Sequence, residues 1–461
     1  MRLLLVLSLL LIAAPAARAA QTAVYALTSD FVTGSLSVAD LATRGITKDV
    51  ATVNSDAVAR SYGGLVYVVN RYGADNIQVV DPARNFQTVR QFSVGNGSNP
   101  QDIVLVSPTR AYVSRYGSAD LLIVDPSSPA GLPMSTISLA GFADADGLPE
   151  MARMVWIEPY LLIACQRLTN YLPSNPSVIA VVDTRADTLF DTDPFTPGTQ
   201  GIPLEARNPV TGFAENPVSG RLLIGCAGAY GALDGGIETI DPAALTDGGI
   251  VVSEQTLGGD VSDIEWTSLT RVHAIVGDGS SNRLISLGSG GVLDTLYVAN
   301  GGFSLPDMEM NDRGELWVCK NPFPASAADP AGLLAFDAAA DTLIAGPLDT
   351  GLAPIAVTFG TVAGPAPVPG GIAIDGAAPN PAHLQATISL RLGQAAVAEA
   401  RIFDLSGRRV RSMDLGARAA GPSAAVWDLK DNDGRAVPAG LYLVRVRAGG
   451  HSASARVVVI R

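Results

Sequence analysis

One local phrase recurs through most of the chain and limits what the chain can fold into. An apolar strand rich in Val, Ile, Leu and Tyr leads through a short turn to a second strand, which usually ends in Asp. Leu65-Val66-Tyr67-Val68-Val69-Asn70 leads to Asn76-Ile77-Gln78-Val79-Val80-Asp81, and Arg110-Ala111-Tyr112-Val113-Ser114 leads to Leu121-Leu122-Ile123-Val124-Asp125. Further copies begin at 160, 221 and 315, and two weaker ones at 23 and 271. The seven starts lie 42 to 61 residues apart, and two more extended stretches fit between them, such as Val89–Val94 and Asp102–Val106. Four short strands per period is the spacing of propeller blades. A single blade cannot bury both faces, whereas a closed set of blades can. The expected fold class is therefore all-β, a seven-bladed β-propeller over residues 20–360.

The ends of the chain read differently. Arg2, the apolar run Leu3–Ala14, Pro15 and Ala17-Arg18-Ala19 have the order of a secretory signal peptide over 1–19. The run of about twelve apolar residues is shorter than the roughly twenty needed to span a bilayer. The expectation is an exported chain, secreted or held on the exterior of an outer membrane, with no transmembrane segment after cleavage. Residues 361–371, with three Pro, three Gly and no charge, read as a linker. Beyond it, residues 372–461 alternate apolar and polar positions, as in Ile388-Ser389-Leu390-Arg391-Leu392, with turn signals at Leu405-Ser406-Gly407-Arg408 and Asn432-Asp433-Gly434-Arg435. That is the pattern of a small β-sandwich of immunoglobulin-like size. Trp427 and Tyr442 are expected in its core.

Two resemblances follow from these phrases. Tyr67-Val68-Val69-Asn70 and Ile77-Gln78-Val79-Val80-Asp81-Pro82 resemble the YVTN-type propellers of surface proteins. Three further phrases are Ile402-Phe403-Asp404-Leu405-Ser406-Gly407-Arg408, Trp427-Asp428-Leu429-Lys430-Asp431-Asn432-Asp433-Gly434 and Val437-Pro438-Ala439-Gly440-Leu441-Tyr442. These resemble the immunoglobulin-like domain of flagellar hook-capping proteins and the type A C-terminal sorting domains of type IX secretion substrates. Leu429 stands where that pattern usually has Gly, and Arg456 and Arg461 where sorting tails more often carry Lys. The resemblance implies secretion and sorting machinery as a partner.

The net charge of −13 argues against a general nucleic-acid binder, because a polyanion would be repelled. Residues 372–461 run the other way, with twelve basic residues against seven acidic. No catalytic constellation stands out: there is no Gly-x-Ser-x-Gly elbow, phosphate loop or dinucleotide fingerprint, and His273, His383 and His451 are isolated. His273 replaces Tyr67 and Tyr112 at one strand position, which suggests a packed role. Cys165, Cys226 and Cys319 fall at matching strand ends and read as small buried side chains; a Cys165–Cys226 disulfide is the alternative.

The most chemically suggestive pattern is a set of carboxylates on the fourth extended stretch. Counting back from each hairpin aligns Asp102, Asp263 and Asp307, with Glu215, Glu265 and Glu309 two residues on. If that stretch lines the propeller axis, the six could hold a hydrated cation, Ca²⁺ above all, since hard cations take several oxygens. Alternatively they cap turns or accept bonds from neighbouring backbone N–H groups. Asp144-Ala145-Asp146-Gly147 and Asp431-Asn432-Asp433-Gly434 also look like calcium loops, but neither has the Glu that completes a twelve-residue loop. Three functions stay open. The first is a non-catalytic binding or scaffold module whose partner is a surface protein or glycan. The second is a structural appendage component. The third is an extracellular hydrolase or lyase using the channel carboxylates as acid and base.

Overall fold

A computed structural model describes residues 20–128, 133–173, 175–323, 325–360, 372–392, 394–404, 407–419 and 421–460. The proposed signal peptide, the linker and the Leu405-Ser406 turn lie outside the described residues. Strands dominate. The one α-helix among the described residues, Glu254–Leu257, is a single turn, so none of them forms a helix long and apolar enough to cross a membrane.

Between Ala23 and Gly360 the strands form seven sheets, six of four strands and one of five. The second sheet shows the plan. Ala57–Tyr62, Leu65–Asn70, Asn76–Asp81 and Gln87–Ser93 pair antiparallel in chain order. The leading strands of the third to seventh sheets are Pro100–Ser107, Met151–Ile157, Pro209–Glu215, Asp260–Trp266 and Met308–Met310. Each is the fourth extended stretch of the sequence pattern, and it pairs with the repeat strand that follows it. The first sheet differs. Its leading strand is Ala353–Gly360, which pairs with Ala23–Ser29 and is tied there by Thr22 N–H donating to the Gly360 carbonyl at 3.0 Å.

The Asp that ends each repeat has a local cause. Its carboxylate accepts the N–H two residues on, turning the chain from the third strand to the fourth. Asp40 does this with Ala42, Asp81 with Ala83, Asp125 with Ser127, Asp183 with Arg185, Asp241 with Ala243 and Asp337 with Ala339, at 2.9–3.1 Å. In the sixth sheet Gly288, which follows the Leu287 that opposes Val272, takes that place.

The described residues divide into two compact units. One comprises 20–26, 38–47 and 204–360; the other comprises 27–37, 48–203 and 372–460. In the first, apolar faces pack sheet on sheet: Val261, Ile264 and Ile285 with Ala214 and Leu223, and Trp317 and Leu333 with Val24 and Leu41. In the second, Tyr112 and Ile123 pack with Met154 and Ile163. Each such Val, Leu, Ile or Met side chain, fully removed from water, contributes about 1.5–3 kcal/mol. All three cysteines are buried and free, which removes the disulfide alternative.

The second unit also holds the small sandwich. Ile372–Ala378, Ala386–Leu392 and Gly421–Trp427 form one sheet, and Arg409–Arg418, Ala396–Phe403, Gly440–Ala448 and His451–Val459 the other. Alternate residues Ile388, Leu390, Ala398, Ala400, Ile402, Val444 and Val446 fill the space between them. Trp427 is fully buried and meets Tyr442 edge-on at 5.3 Å. Its indole N–H donates to the Lys430 carbonyl at 2.9 Å, and the Tyr442 hydroxyl to Pro438 at 2.7 Å. Buried aromatics with polar tips need such partners.

Candidate functional site

The aligned aspartates sit where leading strands meet. Asp102 is fully buried and accepts the Met154 N–H of the next sheet's leading strand at 3.0 Å. Asp263 repeats this with the Met308 N–H at 2.8 Å, and Asp307 with the Val357 N–H at 2.7 Å. Glu265 accepts the Met310 N–H at 3.0 Å. Each carboxylate thus joins one sheet to its successor through a backbone donor of the next leading strand.

Their electrostatics diverge. Arg60, on the leading strand of the second sheet, grips Asp102 with both ends of its guanidinium, at 2.9 and 2.8 Å. Burial alone would raise the Asp102 pKa, but the Arg60 charge and hydrogen bonds outweigh it and hold the carboxyl below its ordinary range. Asp263 sits in the corresponding place without a guanidinium. Burial pushes its carboxyl well above the ordinary range, and the charges of Asp307 and Glu265 push the same way. The cause lies two positions along in the register. Arg60 opposes Tyr67; the matching place in the fifth sheet is Ala214, opposite Leu223, and in the sixth it is Glu265, opposite His273.

Glu215 leaves the set. It opposes Leu222, whereas Glu265 and Glu309 oppose His273 and Trp317, so it is one residue out of register and exposed. The connection 216–221 between Glu215 and Leu222 is one residue longer than the corresponding connections 267–271 and 311–315 of the sixth and seventh sheets, and the extra residue produces the offset. A one-residue slip puts a side chain on the other face. A fixed count back from each repeat start could not register the longer turn. Among the described residues the six carboxylates form no group of three with ligand atoms within 4.8 Å of one another.

Asp144, Asp146 and Glu150 do form one. Sequence reasoning found the two aspartates and missed Glu150, four residues past Asp146, at a place where a twelve-residue calcium loop uses a backbone carbonyl and not a side chain. Its positive φ of 44° turns the side chain back under the loop, where it is 2% exposed. Burial, followed by the charges of Asp146 and Asp144, pushes its pKa up to about 7. One of its oxygens accepts the Leu168 N–H at 3.0 Å. Asp144 accepts from the Thr169 hydroxyl at 2.6 Å and the Asn175 amide at 2.9 Å, bonds that hold it low. Three carboxylates with one high pKa are compatible with a cation's donor set, and equally with a hydrogen-bonded loop. The second acidic phrase is a turn: Asp431 accepts the N–H groups of Asp433 and Arg435 at 2.9 and 2.8 Å.

His273 is buried, as expected for a packed role. Its Nδ1 meets the Thr267 hydroxyl at 2.8 Å and its Nε2 meets Asp341 of the next sheet at 2.9 Å. Burial lowers its pKa despite that carboxylate.

The sandwich strands, the Trp427–Tyr442 pair and the Asp431 turn point to one module. Residues 381–452 match the FlgD Ig-like domain. Comparison with curated proteins finds no match. Among solved structures, a candidate 6-phosphogluconolactonase from Bacteroides fragilis covers 76% of this chain and 100% of its own at 12% identity, TM-score 0.51. A second, from Bacteroides uniformis, covers 74% and 99% at 11% identity, TM-score 0.51. Both are similar in fold alone. PorZ, a surface component of the type IX secretion system of Porphyromonas gingivalis, aligns over 96% of this chain at 15% identity and TM-score 0.44. The chain spans 59% of its length.

Proposed function

We propose that the chain is an exported, non-catalytic binding or scaffold protein of the cell surface. In this reading a seven-bladed propeller is the interaction platform and the C-terminal domain, 372–461, serves sorting or attachment. The observation that carries it is the FlgD Ig-like match at 381–452 behind a set of propeller-type sheets. The state of the carboxylates supports the non-catalytic half. Asp102, Asp263, Asp307 and Glu265 each accept a backbone N–H of the following leading strand. Those bonds give each carboxylate a structural task, that of joining one sheet to the next. The partners in this reading are a surface protein or glycan and the secretion and sorting machinery.

The test is the mature C-terminus of the native protein, found by mass spectrometry in surface and medium fractions. A terminus within 361–371 on surface material makes the tail a cleaved sorting signal. An intact Arg461 makes it a working attachment domain. Recovery only from the cytoplasm with residues 1–19 attached would overturn export altogether.

A further inference from the structure

Three junctions between successive sheets carry a polar closure that the junction between the fifth and sixth lacks. Where the third sheet meets the fourth, the Tyr112 hydroxyl donates to Asp187 at 2.6 Å, and Arg110 pairs with the same carboxylate. Where the sixth meets the seventh, His273 and Arg271 take Asp341 at 2.9 and 3.0 Å. Where the seventh meets the first, Arg44 pairs with Glu315 and lies 4.9 Å over the Trp317 ring. Each closure joins the start of a repeat strand to a residue with positive φ (Asp187, Asp341 or Arg44) four places past the repeat's final Asp.

Between the fifth and sixth sheets both halves are gone. Leu223 stands at the register position of Tyr112, His273 and Trp317. The Asp-led turn is replaced by Gly288-Ser289-Gly290-Gly291, where Gly288 pairs directly with Gly291. The result is a cleft of about 600 Å³ lined by Leu223, Ile237, Val251, Trp266, Leu269 and Leu287 among others. That size lies within the range of small-molecule sites, about 300–1,000 Å³. Trp266 adds a specific polar demand. Its register partner in the fourth sheet, Trp156, donates its indole N–H to the Thr184 hydroxyl at 3.3 Å. The Trp266 N–H is buried and has no acceptor. Buried donors are nearly always paired. The one charged group on the lining, Arg221, lies 3.6 Å from Asp241 at the rim.

We infer that this cleft is a binding site for a neutral, largely apolar small molecule carrying a carbonyl-type oxygen, which accepts the Trp266 indole N–H. The lining supplies apolar contact, and the orphaned donor selects for the acceptor.

The test uses the full mature chain labelled with ¹⁵N at its four tryptophans, with acetophenone as probe. α-Methylstyrene, the same shape without the oxygen, is the control. Trp266→Phe assigns the indole signal. Acetophenone is expected to move the Trp266 N–H resonance and leave those of Trp156, Trp317 and Trp427 in place. α-Methylstyrene is expected to bind about tenfold more weakly, the worth of one buried hydrogen bond. Trp266→Phe should lose the same factor for acetophenone alone. Val251→Trp, at an exposed rim position, should block both probes without unfolding the chain. An unmoved Trp266 signal, or equal binding of the two probes, overturns the inference. So does undiminished acetophenone binding to Val251→Trp.

Discussion

Asp102 and Asp263 occupy the same register position in two sheets and bond the same backbone donor of the next sheet, yet their carboxyls are driven in opposite directions. Arg60 holds the first low; Ala214, in the place of Arg60, leaves the second to burial and to the charges of Asp307 and Glu265. A repeat therefore conserves the bond that aligns its strands while its charge balance is set by one neighbouring position. The hydrogen-bonding task needs only an oxygen. Whether that oxygen carries charge depends on what stands beside it.

Four variants probe this difference. The largest effect is expected from an apolar benchmark in the sandwich. Trp427→Ala should cost about 3–5 kcal/mol in denaturant unfolding of that domain, with the same loss at every pH. An unchanged midpoint would mean that Trp427 is not the centre of its core. Asp102→Ala comes next, about 3 kcal/mol at neutral pH, because it strands both the Arg60 guanidinium and the Met154 N–H. Its wild-type contribution follows a lowered pKa. It is fully present above the unfolded carboxyl value near 4 and is lost as pH falls through the folded one. A melting-temperature deficit that shrinks in acid checks this.

Arg60→Ala should turn the first site into a copy of the second. The cost is about 1–2 kcal/mol at neutral pH, moderated because the Arg60 side chain is 42% exposed. Carboxyl NMR should show the Asp102 pKa rising; if it stays low, the guanidinium is not what holds it. Asp263→Asn should have the smallest effect, within about 0.5 kcal/mol near neutrality, since an amide mimics a carboxyl that keeps its proton. Here the sign reverses. A raised pKa means the site's contribution is present below the unfolded value and fades as pH climbs through the folded one. Relative to wild type, Asp263→Asn should gain stability with rising pH. A loss would show that Asp263 works as a charged group.

The strand plan could be read from the sequence because it rests on local chemistry. Runs such as Leu65–Asn70 favour extended backbone, and the Asp that ends each repeat caps its own turn two residues on. The aligned aspartates were legible for the same reason, since no irregularity lies between each of them and its hairpin that disturbs the count. Glu215 was not, because its turn, 216–221, is one residue longer than 267–271 and 311–315, and a fixed count back from each repeat start absorbs that residue. Arg60 also escaped notice as the partner of Asp102, since it lies 42 residues earlier and their meeting depends on how two sheets stack. Glu150 was hidden by its backbone: a positive φ at a glutamate is not foreseeable from Asp144-Ala145-Asp146-Gly147.

The pairing of Ala353–Gly360 with Ala23–Ser29 bears on how such a chain comes into being. A chain delivered from its N-terminus presents Ala23–Ser29 early, with one side lacking its final neighbour until residues 30–352 have followed. Closing so long a loop is slow, and an apolar strand left waiting is a template for the wrong partner. Interrupting the chain before residue 353 should therefore yield sticky, self-associating material rather than a smaller version of the fold.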